Sequence, residues 1–456
     1  MNIIRGLVYI LQRESYDVRR FLTFVYSNWH WWSLEKRQVI DWTQKARAIY
    51  YLLLAVVICL IALAVSVFKL WTLVFLVLLI IILPLLAVLV LWLFLPLDYF
   101  LKNRVISRAK KILAAQHVEV IGITGSYGKT SLKEILAVVL ESGFKIVKTP
   151  NNINTDLGIA YFIITNQAAL AAADFFIVEM GAYQIGDIAK ICDLVNPDYS
   201  FLTGINESHL ERFGGLQNTI KAKFELAERT AKKVVLNFVD DNVKGNYSRF
   251  KLPSIVGIDY SSVEELNILP NFSGLSFCYA GITFSTKLLA KHNIILLAMS
   301  LSLAQELGMD LNKAIAPIAA MPIIKNRLEP IWNKASQLLV IDDSYNGNFD
   351  GFKSGLEVLG RATGRRLVIT PGLVELGDKK EERHREIARL YASKKIDLVL
   401  LIKNSATAYI ADEFRKIGFL NFKEYPDAIA AHQDLANVLR AGDTIIFQND
   451  WPDNYK

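Results

Sequence analysis

The segment Gly122–Glu134, GITGSYGKTSLKE, holds the residue types of a phosphate-binding loop. Such a loop surrounds a phosphate with backbone N–H groups at the N-terminus of a helix. Gly125, Ser126 and Gly128 would supply the turn and its N–H groups, with Ser131 in the first helical turn. The Lys129 ammonium would reach the β- and γ-phosphates of ATP, and the Thr130 hydroxyl would hold Mg²⁺. The common spacing G-x-x-x-x-G-K-[ST] requires glycine at position 123, where this chain has Ile123. The first loop glycine is instead Gly125, which separates this loop from the usual GTPase and kinase-like spacing.

These residues need strands and helices to hold them. HVEVIGITG is an apolar run ending in glycines, which predicts a buried strand feeding the loop. KTSLKEILAVVLESG then reads as a helix, with Ile135, Val138 and Val139 at helical spacing and Gly143 closing it. ADFFIVEMGA is a second strand entering a glycine loop, with Glu179 near its end. DYSFLTGI, KKVVLNFVD, QLLVIDDSY, RRLVITPG, DLVLLI and DTIIFQND repeat the pattern. Short β-rich runs alternating with amphipathic helices predict an α/β fold of parallel sheets covered by helices. A helical stretch over 291–321 closes the first soluble domain, and Pro322 and Pro330 mark the boundary.

The shortened T-G-x-x-G-K-T-S form resembles the ATP loop of the Mur ligases, which build the peptide of bacterial cell walls. The resemblance continues in chain order. TPNNINTDLGIA is similar to the family's substrate-side segment, matching at Asn152, Asn154 and Gly158. VEMGA resembles the strand end whose glutamate, here Glu179, binds Mg²⁺. GINESHLERFGG is similar to a histidine loop, matching at His209, which the resemblance places at the metal. KAKFEL looks like the segment whose lysine, here Lys223, is carbamylated. KHN, with Asn293, resembles a pair near the adenine, and NRLEP matches at Arg327 the entry to the last domain. DDSYNGNFDG, with Asp343, Tyr345, Asn346 and Asn348, and PGLVELGDKKEERH, with Glu375, are closest to the branch that adds D-alanyl-D-alanine to a UDP-linked tripeptide.

The resemblance spans about residues 115–456 and implies a central P-loop ATPase domain over 115–325 and a C-terminal Rossmann-like domain over 326–456. It implies ATP and Mg²⁺ as cofactors. Lys129, carbamylated Lys223 and His209 would be catalytic, and Thr130, Glu179, His209 and Lys223 would surround metal. Asn293, Arg327, Asp343, Tyr345 and Asn346 would contact nucleotide. Asn152, Asn154 and Glu375 would contact substrate.

The chemistry of amide formation agrees with this residue set. Joining a carboxylate to an amine in water is uphill, so ATP first converts the carboxylate to an acyl phosphate. Phosphoryl transfer needs cations and in-line geometry more than covalent help. Mg²⁺ suits a few oxygen ligands plus phosphates, which Thr130 and Glu179 match. A lysine beside a metal is a cation in the wrong place, and carbamylation by CO₂ would turn Lys223 into an anion.

The chain has 456 residues, 53% of them hydrophobic, and a mean hydropathy of +0.30. The excess is local. YYLLLAVVICLIALAVSVF (50–68) and an uncharged run from Leu70 to Leu97 are each long enough for a helix to cross ~30 Å of hydrocarbon. The expected spans lie within 49–100, after a basic and aromatic segment over 1–48. The apolar core is too long and begins too late for a cleaved signal. Arg13, Arg19, Arg20, Lys36, Arg37, Lys45 and Arg47 precede the hairpin, and Lys102, Arg104, Arg108, Lys110 and Lys111 follow it. The positive-inside rule places both flanks, and the catalytic domains, in the cytoplasm. Trp71, Trp92 and Tyr99 stand near the span ends, as interfacial aromatics do. The net charge of +7 is concentrated beside the spans, so anionic membrane lipid rather than nucleic acid is the expected surface partner. Three scattered cysteines form no metal spacing or disulfide framework.

This hairpin stands where the wall ligases carry a domain for the UDP part of their substrate. Leu296 replaces the second asparagine of the adenine motif, and Phe349 replaces the proline after Asn348. The expected function is an ATP-dependent amide ligase of cell-wall precursor synthesis, joining an amino acid or dipeptide, D-alanyl-D-alanine foremost, to a peptide precursor. The alternatives are a membrane-anchored poly-γ-glutamate-type synthetase and a non-catalytic membrane scaffold that keeps a nucleotide-binding fold.

Overall fold

The computed structural model describes residues 3–14, 16–28, 31, 40–68, 72–150, 153–208, 210–345, 347–374 and 376–449. The chain divides into two compact units, one ending at Arg104 and one beginning at Val105.

The first unit is helical. Helices α1 (Ile3–Arg13) and α2 (Val18–Ser27) precede two long ones, α3 (Gln44–Phe68) and α4 (Thr72–Ala114). Asp17 caps α2 by accepting from the Arg20 N–H at 2.8 Å. Leu7, Leu11 and Phe21 pack with Ile49 and Leu53 of α3 and Leu91 of α4. The first residues are therefore built into the helical unit. α4 contains Pro84 and Pro96 and continues beyond position 100, past the apolar run. The most apolar windows of α3 and α4 are only 17% and 39% buried. Their outward faces carry Ile58, Leu63, Ile81, Leu89 and Leu93, the reverse of a soluble core helix.

The second unit begins with the end of α4, followed by the strand predicted ahead of the glycine loop. β1 (Glu119–Thr124), β2 (Ile146–Lys148), β3 (Phe175–Glu179), β4 (Tyr199–Leu202), β5 (Lys233–Asn237) and β6 (Ser254–Ile258) form a parallel sheet in the order β2-β3-β1-β4-β5-β6. Parallel sheets are buried on both faces, and β1, β3 and β4 are accordingly almost wholly apolar and buried. Helix α5 (Lys129–Leu140) buries Leu132, Ile135, Leu136 and Val139 against this sheet and the helix His292–Glu306. Each such side chain contributes roughly 1.5–3 kcal/mol by leaving water. Between sheet and boundary, β7 (Glu264–Leu269), β8 (Gly274–Tyr279) and β9 (Ile282–Thr286) form an antiparallel meander.

The last domain holds β10 (Glu329–Asn333), β11 (Leu338–Asp343), β12 (Arg366–Thr370), β13 (Leu398–Ile402), β14 (Phe422–Tyr425) and β15 (Thr444–Gln448), ordered β10-β11-β15-β12-β13-β14. All neighbours are parallel except β10, an antiparallel edge strand. Pro330 lies in that edge strand, where its missing N–H leaves no central ladder bond unmade.

Candidate active site

The loop after β1 is fixed by its glycines. Gly125 has φ +154°, and a Cβ there would stand 2.0 Å from the Thr203 hydroxyl. A Cβ on Gly204 would stand 2.3 Å from the Tyr127 ring. Only glycine lets these two loops touch, and the Ser126 N–H then donates to the Gly204 carbonyl at 2.7 Å. Thr203 also donates to the Thr124 carbonyl, and Thr124 donates to that of Met180 at 2.9 Å. Tyr127 donates to Asp240 at 2.7 Å, and Asp240 also accepts from the Ile205 and Val243 N–H groups. Burial raises both the Tyr127 and the Asp240 pKa.

Lys129 folds back and donates to the Gly125 carbonyl at 2.8 Å. Burial lowers its pKa, the Glu179 charge opposes that shift, and Arg327 adds to it. Glu179 ends β3 and is nearly fully buried. Burial would raise its pKa, but the Lys133 and Lys129 charges prevail and hold it below the usual glutamate value, with help from the Thr130 hydroxyl. An ionised carboxylate beside a hydroxyl at a phosphate loop is a hard oxygen set that fits Mg²⁺. Among the described residues no three His, Cys, Asp or Glu side chains converge as a metal cluster.

Lys223 lies on the helix Leu216–Glu228 and is 3% exposed. Its Nζ lies 5.7 Å from the centre of the Phe213 ring. The neighbouring Glu225 is already occupied, accepting from the Gly186 and Ala189 N–H groups at 2.5 and 2.9 Å. Burial, then the Lys129 charge, drives Lys223 well below the ordinary lysine pKa. Lys129, Glu179, Thr130 and Lys223 are thus brought together.

The substrate-side segment meets the same strand end. Thr149 accepts from the Glu179 N–H at 3.1 Å, and Asn154 accepts from Gly181 at 2.8 Å through its carbonyl. Asn152, His209, Asn346 and Glu375 lie outside the described residues.

From the last domain, Arg327 is half-buried with its guanidinium 4.5 Å from the Tyr345 ring centre. Burial lowers its pKa, and Tyr345, Asp343 and Glu179 oppose that. Asp343 accepts from the Leu328 N–H at 3.3 Å, and burial pushes it up to about 7 against the pull of Arg327. Asn293 is buried at the start of its helix. Its neighbour His292 reaches Ser354 of the last domain at 3.3 Å. Burial and then Arg327 pull His292 down to about 4, so the ring is neutral.

The loop after β4 binds the two domains together. Arg383 grips Glu207 with two bonds of 2.6 and 2.9 Å, Asn206 donates to Asp350 at 3.0 Å, and the Gly377 N–H donates to Glu211 at 3.2 Å. A cavity of about 280 Å³ beside Tyr127 is lined by Asn206, Asp241, Asp350 and Lys353.

Sequence reasoning missed Lys133, Asp240 and the Glu207–Arg383 pair. For Lys133 a signal existed: it lies four residues after Lys129, on the same face of a helix that packs on the sheet.

A phosphate loop, a strand-end carboxylate held ionised and a second domain delivering an arginine together describe a nucleotide-driven ligase in two parts. The model of the Mur ligase middle domain matches residues 123–304, and that of the Mur ligase glutamate ligase domain matches residues 326–448. The chain belongs to the Mur ligase family and is an ATP-dependent ligase. The UDP-N-acetylmuramoyl-tripeptide–D-alanyl-D-alanine ligase of Bacillus subtilis is 27% identical over 350 residues, 75% of each chain. The Escherichia coli ligase of the same name is 28% identical over 303 residues, 63% of this chain and 65% of its own. The MurF ligase of Thermotoga maritima, solved with ADP, shares the fold with a TM-score of 0.66 at 23% identity, covering 76% of this chain and 80% of its own.

Proposed function

We propose that the chain is a membrane-anchored ligase that uses ATP and Mg²⁺ to lengthen a cell-wall peptide precursor, with D-alanyl-D-alanine as the incoming amine. The observation that carries this reading is the meeting of Lys129, Thr130, Glu179 and Lys223 in one buried site, with Arg327 brought to it from the last domain. The choice of amine rests on the relatives that match along both domains.

In this reading Lys129 exchanges the Gly125 carbonyl for the phosphates of ATP, and the loop N–H groups hold them in line. Bound Mg²⁺ supplies positive charge on the phosphate oxygens, and Thr130 and Glu179 are the residues that hold it. Arg327 neutralises charge on the transferring phosphoryl group. Lys223, whose burial and nearby Lys129 charge outweigh the Asp187 and Glu225 carboxylates, is held toward the free amine, the form that adds CO₂. Its carbamate would place an anion where Lys129 and a metal leave excess positive charge. Asn154 and the undescribed Asn152 orient the acceptor, whose carboxylate takes the phosphoryl group before the dipeptide amine displaces phosphate.

The two apolar helices anchor the ligase in the membrane, with lipid against the outward faces of α3 and α4 and both catalytic domains in the cytoplasm. Purified protein in detergent, given ATP, Mg²⁺, a wall tripeptide precursor and D-alanyl-D-alanine, is expected to release phosphate only when both substrates are present. Release that depends on no wall precursor would overturn the reading, and glutamate polymerisation in the same assay would move it to the poly-γ-glutamate alternative.

A further inference from the structure

We propose that Lys133 is a positioning residue that makes Glu179 a one-oxygen ligand and thereby selects Mg²⁺ over Ca²⁺. The proposal rests on the ligase reading above.

Lys133 follows Lys129 by one helical turn on α5, so both point toward the end of β3. It is fully buried, and its Nζ lies 3.1 Å from Glu179 Oε2. At that distance the ammonium pairs closely with this one carboxylate oxygen. On the other side Glu134 stands 4.0 Å from Nζ and is itself paired with Lys148 at the end of β2. Lys133 is therefore held in the interior between two carboxylates.

With Oε2 facing an ammonium, a cation can approach Glu179 only through Oε1. Mg²⁺ takes six oxygens in near-octahedral array at about 2.0–2.1 Å, and a carboxylate serves it through one oxygen. Ca²⁺ takes six to eight at about 2.3–2.6 Å and readily uses both oxygens of a carboxylate. Blocking one oxygen therefore disfavours Ca²⁺ more. The same fixed charge repels every divalent ion, so selectivity is gained at some loss of affinity.

The test is calorimetric binding of ADP to the full-length protein in detergent, with either MgCl₂ or CaCl₂. Wild type is expected to prefer Mg²⁺. In Lys133→Met both ions should bind more tightly, Ca²⁺ more so, and the Mg²⁺/Ca²⁺ preference should fall about tenfold. Lys133→Gln, whose amide stops short of Oε2, is the second neutral variant should the first fail to fold, and the same fall is expected. An unchanged preference in a folded variant would overturn the proposal while leaving the ligase reading intact. A fallen preference in a protein that releases no phosphate with any precursor would uphold Lys133 and sink the ligase reading.

Discussion

His384 shows how much a single buried ring can organise. Its Nε2 accepts from the Leu373 N–H at 2.9 Å, and its Nδ1 lies 2.5 Å from the Lys380 carbonyl, to which it donates. It thereby pins the segment PGLVELG to the following helix. Burial pulls its pKa to about 4, although the Lys380 carbonyl opposes the shift. In the unfolded chain the ring titrates near 6.5. Between those values the unfolded chain binds a proton that the folded chain resists, so this residue's contribution is lost as pH falls from about 6.5 to about 4. His384→Gln should be less stable than wild type near neutral pH, and the gap should narrow across that window. Thermal melts of both proteins as a function of pH check this, and a gap independent of pH would contradict it. At this scale the sequence was informative where a residue belongs to a contiguous motif, as with Lys129, Glu179 and Arg327. It was silent where the partner lies far along the chain. Tyr127 and Asp240 are 113 positions apart, and nothing local in either marks the pair.

At the scale of elements, the loop after β4 answers to both domains. Arg383 extends from the helix Lys380–Ser393, stacks 4.8 Å from the Phe349 ring and grips Glu207 from the other domain. Phe349 occupies the position where the wall ligases have proline, so the departure noted in the sequence builds part of the domain junction. Arg383→Ala should lower kcat/KM several-fold and ADP affinity by less, because the phosphate loop lies in the central domain while Arg327 comes from the last. An equal loss of ADP affinity would refute this division of labour. Strands with continuous apolar runs were legible because a parallel sheet buries both faces. β2 has three residues, and β7 holds only exposed and half-buried positions without a clean apolar period, so neither announces itself. β10, with its proline, reads as a boundary and is in fact an edge strand.

At the scale of the molecule, a helical unit with outward-facing apolar side chains is joined to an amide-forming ATPase. Burying such side chains in lipid removes the exposed apolar surface that a soluble protein would not tolerate. Membranes washed with alkaline carbonate should retain the chain, and detergent should release it. Release by carbonate alone would contradict the anchor. The length and apolarity of the two helices were plain in the sequence. The packing of α1 and α2 against α3 was not, because their amphipathic faces suit a lipid surface as well as a protein one. The central claim is that ATP activates an acceptor carboxylate as an acyl phosphate. Its most direct test is the transfer of ¹⁸O from a labelled acceptor carboxylate during ligation in detergent. One labelled oxygen should appear in each phosphate released, and the product should have the mass of precursor plus dipeptide less one water. Phosphate released without label would contradict the account.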